Sequence, residues 1–376
     1  MRKTVDFGTM HHIMQINKVL ILGAGAVGQV IGTHLRLSGC DVSFWVRPSQ
    51  KEALESKGLT LHNVKTDTEL HISAPQVVTA PASDEKYDAV FICVRSEQLD
   101  EALSQIQSAF DSLEDMVIIP IQPGRDDGLK VFRALSEAVV VPMSPAFSAY
   151  EAEARIEYLA LKQTPSLVGP PYNETLHVRD EIVRLLQQGG IPTKGVNDLE
   201  ADTRFVSVVI QCLVVALGLS EYSLNKLSHN KRLLSMTAQA ITEGIEVTRQ
   251  DLGFIPLKYK PFQAMNGESL KAFLWSLGRS KYQSFFESMW KAHAKKIQEQ
   301  SYNNLEELIN LSLQQSKKPP LALTALNAMT PAKVGEFLKR NRSFNGKKSP
   351  KAKIKKAVLL GAGAYVVLRM LKRKKA

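Results

Sequence analysis

The sequence predicts a doubly wound α/β domain with a parallel sheet, followed by an all-α domain. Three observations lead there. In the first half, short apolar runs alternate with stretches of helical period, the signature of strand–helix–strand units. A glycine-rich turn stands directly between the first such run and the first helix. After Asn197 the apolar residues recur only at helical spacing, with no strand-like run between them.

Taken in order, Val19-Leu20-Ile21-Leu22 is apolar and β-branched enough for a buried strand. Gly23-Ala24-Gly25-Ala26-Val27-Gly28 follows at once, and residues 29–37 have helical character. Asp41-Val42-Ser43-Phe44-Trp45-Val46 is the next strand. Residues 89–94 and 116–121 form two further buried runs around a helix at 97–110, with apolar positions Leu99, Ala102, Leu103, Ile106 and Phe110. Residues 139–141 and 166–169 add strands, and residues 178–188 a helix. Beyond Asn197, helices are expected at 202–219, 233–252, 270–275, 282–300 and 305–316. The organisation read from this pattern is an α/β domain at 15–196, a helical domain at 197–330, and a basic linker with a short apolar segment at 331–376.

The glycine turn has a specific chemistry. In the order strand, G-x-G-x-x-G, helix, the first glycine permits the tight turn and the second lets backbone approach a diphosphate. The third allows close packing of helix on strand. The helix N-terminus then offers free N–H groups and a positive dipole end to phosphate. This is a Rossmann-type dinucleotide site. The end of the second strand, where an acidic residue would meet a ribose 2′-hydroxyl, carries Arg47 and no carboxylate. The expected cofactor is therefore NADP(H).

Charge narrows the partners. The formal net charge is +11, but residues 339–376 hold 14 Lys or Arg and no acidic residue, leaving 34 basic against 37 acidic side chains elsewhere. A near-neutral body argues against a nucleic-acid groove. The tail ends in an apolar stretch, residues 357–368, between lysine clusters. At about 1.5 Å per residue it falls short of the ~20 apolar residues that span a bilayer. Two readings stay open for it, contact with an anionic membrane or a tail that binds acidic partners or nothing. Cys40, Cys93 and Cys212 are scattered without ligand spacing, so no metal site or disulfide framework is expected. Reduced thiols and the lack of an apolar leader point to the cytoplasm.

The glycine loop, the arginine at the second strand end and the helical second domain together resemble the ketopantoate reductase (2-dehydropantoate 2-reductase) family, over roughly residues 15–329. Val46-Arg47-Pro48 sits where that family keeps an NADP-selective arginine. Val94-Arg95-Ser96-Glu97-Gln98 is similar to its Val-Lys-Ala-x-Gln, and Ile121-Gln122-Pro123-Gly124 to its Gln-Asn-Gly turn. Glu299-Gln300-Ser301-Tyr302-Asn303-Asn304 resembles its substrate segment. The resemblance implies that Gly23, Ala24, Gly25, Ala26, Val27, Gly28, Arg47, Arg95 and Gln122 meet the cofactor, and that Asn304 meets a small 2-oxo acid substrate. It also implies a homodimer and a place in pantothenate biosynthesis.

The departures fall on the chemistry. The family's lysine, which hydrogen-bonds the substrate carbonyl, aligns with Val206; its asparagine is Pro123 and its aspartate Ser301. Glu299, Arg95 and Arg204 are the candidates for the catalytic roles. Two functions follow. One is an NADP-dependent oxidoreductase reducing a 2-oxo acid or similar small carbonyl. The other is a catalytically weakened NADP(H)-binding sensor or scaffold, tethered by its basic tail.

Overall fold

The computed structural model describes residues 15–329 apart from 83, 84, 123, 125, 173–175, 317 and 318; within the last long helix the side chains of 293–300 and 316 are also not described. The readings attached to Pro123, to the Glu299 side chain and to the tail at 331–376 lie outside the described residues.

Six strands form one parallel sheet in the order Gln76–Val78, Asp41–Trp45, Lys18–Leu22, Ala89–Ile92, Val117–Pro120, Val139–Val140. Both faces are covered, which is why the central strands read as unbroken apolar runs. Val19, Ile21 and Phe91 join one core with the helices Ala26–Leu37 and His177–Gln188. Leu20, Leu22, Val90 and Ile92 join the other, with Leu99–Ala109 and Asp127–Ala134. Alternate residues of one strand thus feed opposite cores, the geometry of a doubly wound sheet. The strand order reverses between Lys18–Leu22 and Ala89–Ile92, which opens a crevice at their C-terminal ends.

Two smaller sheets go beyond the sequence reading. A four-stranded sheet runs in the order Ser148–Ala152, Arg155–Leu159, Leu59–Asn63, Thr68–Ile72. The run at 166–169 does form a strand, Ser166–Val168, but it belongs to a three-stranded sheet between Thr193–Gly195 and Met143–Ser144.

From Leu199 onward the chain is helical. Asp198 accepts a hydrogen bond from the Ala201 N–H at 2.8 Å and caps the helix Leu199–Gly218. The helix Lys231–Leu252 is capped by Asn230 and stops at Gly253, whose φ of +77° favours glycine. These two helices approach closely where Gly244 lies against Val208; a Cβ on Gly244 would stand 2.6 Å from Val208 Cγ1. The expected pair of helices at 282–300 and 305–316 is a single helix, Gln283–Ser316. No Gly or Pro interrupts that sequence, so the polar stretch around Gln300 continues the helix. Glu243 accepts from the Leu323 N–H at 2.9 Å and so seats the last helix, Leu321–Asn327. Among the described residues one helix, Leu199–Gly218, is long and apolar enough to cross a membrane, with mean hydropathy 1.6, and half of it is buried inside the protein.

Candidate functional site: a glycine loop at the switch point

The loop after Lys18–Leu22 is built as its sequence demands. Gly23 has φ +101°, and its N–H donates to the Trp45 carbonyl at 3.0 Å, which ties the turn to the second strand. A Cβ on Gly28 would stand 2.0 Å from the Gly23 carbonyl oxygen and 3.2 Å from Cys93 Cβ, so the helix touches the strands only because position 28 has no side chain. Gly25 differs. A Cβ there would meet nothing within 4 Å, and its φ of −73° suits any residue.

The helix begins at Ala26, three residues earlier than the sequence suggested. Its first intrahelical bond runs from the Gln29 N–H to the Gly25 carbonyl at 2.9 Å. The N–H groups of Ala26, Val27 and Gly28 therefore face out of the helix end, and no acidic side chain occupies the first turn. Buried Ala24 fixes the loop from below, its carbonyl accepting from Gln29 Nε2 at 2.9 Å.

Arg47 stands exposed at the N-terminus of the helix Pro48–Lys57, whose first turn is also free of acidic residues. Two positive features thus coincide at the end of the second strand. Arg95 occupies the loop after Ala89–Ile92; its guanidinium is about half exposed and pairs with Glu97 at 2.9 Å. Gln122, after Val117–Pro120, donates through Nε2 to the Ile92 carbonyl at 2.8 Å and to the Val94 carbonyl at 2.9 Å. It thereby locks two neighbouring loops together, while its Oε1 is buried without a partner. Asp127, which the sequence reading did not single out, braces the same edge. Its carboxylate accepts from Ser96 Oγ at 2.7 Å and from the Gly124 N–H at 2.9 Å. The sequence signal was an acidic residue opening a helix just past a strand end. Cys93 is half-buried beside the loop, its Cβ close to Gly28, and burial pushes its thiol pKa up.

The catalytic candidate Arg204 lies on the helix Leu199–Gly218. Arg204 is only 10% exposed, and its guanidinium is held by Glu200 at 3.0 Å and by Asp251. Val206 is 38% exposed on the same helix. Asn304 and Ser301 lie between helices of the C-terminal part, and Asn304 Nδ2 and Ser301 Oγ are both buried without a partner. Among the described residues no three His, Cys, Asp or Glu side chains are grouped to hold a metal.

The glycine loop, the open space at Gly25 and the unpartnered Gln122 oxygen fit a dinucleotide at the switch point. Comparison with known proteins agrees with the fold. Residues 19–165 match the family described as ketopantoate reductase PanE/ApbA. An uncharacterised oxidoreductase of Bacillus subtilis is 30% identical over 124 residues, a match spanning 33% of this chain and 39% of that relative. A 2-dehydropantoate 2-reductase of Pyrococcus horikoshii is 22% identical over 62% of this chain and 74% of its own. Among solved structures, a 2-dehydropantoate 2-reductase of Geobacter metallireducens superposes with a TM-score of 0.66 at 15% identity, covering 85% of this chain and 99% of that one. A D-mandelate dehydrogenase in complex with NADH and anilino(oxo)acetate superposes at 0.64 and 14% identity over the same shares. At these identities the solved structures establish the fold.

Proposed function

From the premise that residues 19–165 carry a ketopantoate reductase (PanE/ApbA) domain, divergent in sequence, we propose that the chain is an NADPH-dependent oxidoreductase of a small 2-oxo acid or similar carbonyl compound. The observation that carries this is the phosphate cradle: a helix N-terminus with outward N–H groups beside Gly25, where added atoms meet empty space. The D-mandelate dehydrogenase of the same fold, solved with NADH and anilino(oxo)acetate, supports the cofactor and substrate classes.

When bound, the reduced nicotinamide supplies a hydride to the carbonyl carbon. The chain's own residues do the rest. The N–H groups of Ala26, Val27 and Gly28 receive the diphosphate. Arg47 and the helix end behind it receive the 2′-phosphate, which is why NADPH is favoured over NADH. Gln122 holds the 92–94 and 122–124 loops in register and offers Oε1 as an acceptor to the nicotinamide end of the cofactor. A donor is needed where negative charge develops on the carbonyl oxygen. Arg204 is mostly buried between two carboxylates, whereas Arg95 at the sheet edge is about half exposed with Glu97 as its partner and takes the role of electrostatic donor; water delivers the proton, because guanidinium keeps its own.

A screen of 2-oxo acids following NADPH absorbance tests the assignment. Turnover with one of them supports it. NADPH binding without turnover of any carbonyl compound would leave the cofactor-sensing alternative in its place. The domain division at 15–196 and 197–330, a cytoplasmic homodimer, and contact of the basic tail with anionic membrane belong to the same proposal; for the last, the full chain should sediment with anionic vesicles at low salt.

A further inference from the structure

We propose that the helix Gly267–Gly278 and the turn after it form a surface that sits on an anionic bilayer, with Trp275 and Arg279 at its centre. The proposal rests on the reading of the basic tail as a membrane contact and names the part of the folded body that joins it.

Leu270, Phe273, Leu274 and Leu277 of this helix pack in the core of the helical part. At 3.6 residues per turn, Glu268, Ala272, Trp275 and Arg279 point the other way, and all four are exposed. A surface helix normally fills that side with polar groups. Here an indole 53% exposed stands in the middle of it, and the Arg279 guanidinium lies 3.6 Å from the ring centroid. In the following turn Lys281 lies 5.0 Å from the ring of Tyr282. The sequence has no acidic residue between Glu268 and Glu287. Among the described residues no carboxylate holds Lys271, Arg279 or Lys281 in an ion pair. Elsewhere on the surface Arg155, Arg184 and Arg249 each have a glutamate. The cations beside Trp275 are therefore uncompensated, and stacking on a ring leaves their N–H groups free to donate.

The tail leaves from the same end of the helical part. Met329, the last described residue, accepts at its carbonyl from the Tyr302 hydroxyl at 2.7 Å. Tyr302 in turn neighbours Tyr222, whose phenol is pushed up by burial and by Tyr302. Tyr222 leads into the helix Leu224–His229, which packs on Gly267–Gly278. Lys226 and Lys231, at the two sides of that short helix, are exposed. Residues 330–338 extend to at most about 30 Å, so the basic segment that begins at Lys339 starts within reach of Trp275.

Chemistry selects the partner. A half-exposed indole gains by placing its ring at the headgroup level of a bilayer with its N–H in the wet layer. A guanidinium beside it donates a pair of hydrogen bonds to a lipid phosphate. Nucleic acid or an acidic protein would meet the cations but leave the tail's apolar stretch, residues 357–368, in water. An anionic bilayer takes the rings, the cations and that stretch together.

The test sediments the full chain at low salt with vesicles of phosphatidylcholine, alone or in equal parts with phosphatidylserine. Wild type should bind the mixed vesicles and not the neutral ones. Trp275→Ser should weaken that binding about ten-fold. Each cation near the surface is worth roughly five-fold, so the double variant Lys271→Glu, Arg279→Glu should weaken it about twenty-fold or more. Lys86→Glu, the same kind of change on an exposed lysine of the α/β part, should alter it by about two-fold at most. Lipid with brominated chains should quench wild-type indole fluorescence and quench Trp275→Ser less. An unchanged melting shift with NADPH shows that each variant is folded. Full-length protein that binds while both Trp275→Ser and the double variant bind as tightly would overturn the proposal and leave the tail contact standing. So would a loss with Lys86→Glu equal to that of the double variant. Full-length protein that stays in the supernatant would overturn both.

Discussion

Gly25 and Gly28 lie three residues apart at the start of one helix, yet valine at the first and alanine at the second should fail in opposite ways. A Cβ at position 25 meets nothing within 4 Å and the backbone there suits any residue, so Gly25→Val should melt close to wild type without ligand. Its methyl groups would occupy the space assigned to the diphosphate. Nucleotide at a hundred times its Kd stabilises a protein by about 2.7 kcal/mol. At roughly 2–4 °C per kcal/mol for a domain of this size, wild type should gain about 5–11 °C and the variant nothing. Alanine at 28 instead drives a methyl to 2.0 Å from the Gly23 carbonyl oxygen. Overpacking of that kind costs about 1–3 kcal/mol, so Gly28→Ala should melt roughly 2–12 °C lower before any nucleotide is added. Differential scanning fluorimetry with and without NADPH reads both. A Gly25→Val protein that keeps the full NADPH shift would show that the diphosphate binds elsewhere, and one that unfolds without ligand would refute the open space.

Three further outcomes follow from the site. Arg47→Ala should weaken NADPH roughly ten- to a hundred-fold and leave NADH unchanged, since one charge-assisted contact contributes on the order of 1.5–3 kcal/mol; fluorescence titration of both nucleotides measures it. Arg204→Met removes the guanidinium from a mostly buried Asp251 and should cost on the order of 1–3 kcal/mol in urea unfolding, while a loss of kcat at unchanged stability would return Arg204 to the chemistry. The imidazoles of His62 and His34 should titrate on opposite sides of 6.5 by NMR. His62 is raised by its hydrogen bond to Glu157, so its contribution to stability is present below 6.5 and is lost as pH rises through its folded value. His34 is lowered by burial, so its contribution is present above 6.5 and is lost as pH falls; midpoints in the reverse order would contradict the packing of both.

What the sequence made legible followed burial. Strands covered on both faces, such as Ala89–Ile92, spell themselves as apolar runs, and the glycine loop declares its turn by composition. The strands Leu59–Asn63, Thr68–Ile72 and Arg155–Leu159 went unread because they mix polar with apolar residues and lie partly open to solvent. The pairing of Leu59–Asn63 with Arg155–Leu159 is also remote in sequence, with Glu157 opposite His62. In the site, Gly23 and Gly28 could be read because the first needs a positive φ and a Cβ on the second would meet the Gly23 carbonyl oxygen. Arg204 could not, since the carboxylate that fixes it lies 47 positions away on another helix. The exposure of Val206 and Ile210, 38% and 48%, was hidden for a third reason. In a helix that is apolar nearly all round, the sequence does not mark which side is left uncovered.

The back of the glycine-loop helix is closed by a residue that the chain reaches late. His34 Nδ1 pairs with the Gly189 carbonyl at 2.6 Å across 155 positions, and a Cβ on Gly189 would stand 2.0 Å from the His34 carbonyl oxygen. During synthesis the loop and its two flanking strands leave the ribosome early, but the helix keeps an apolar side uncovered until His177–Gln188 has emerged. Chains stopped before that point should bind chaperones or aggregate, although every residue of the phosphate cradle is already present. A minimal nucleotide-binding fragment must therefore run past Gly189, well beyond the last residue that touches the loop in sequence.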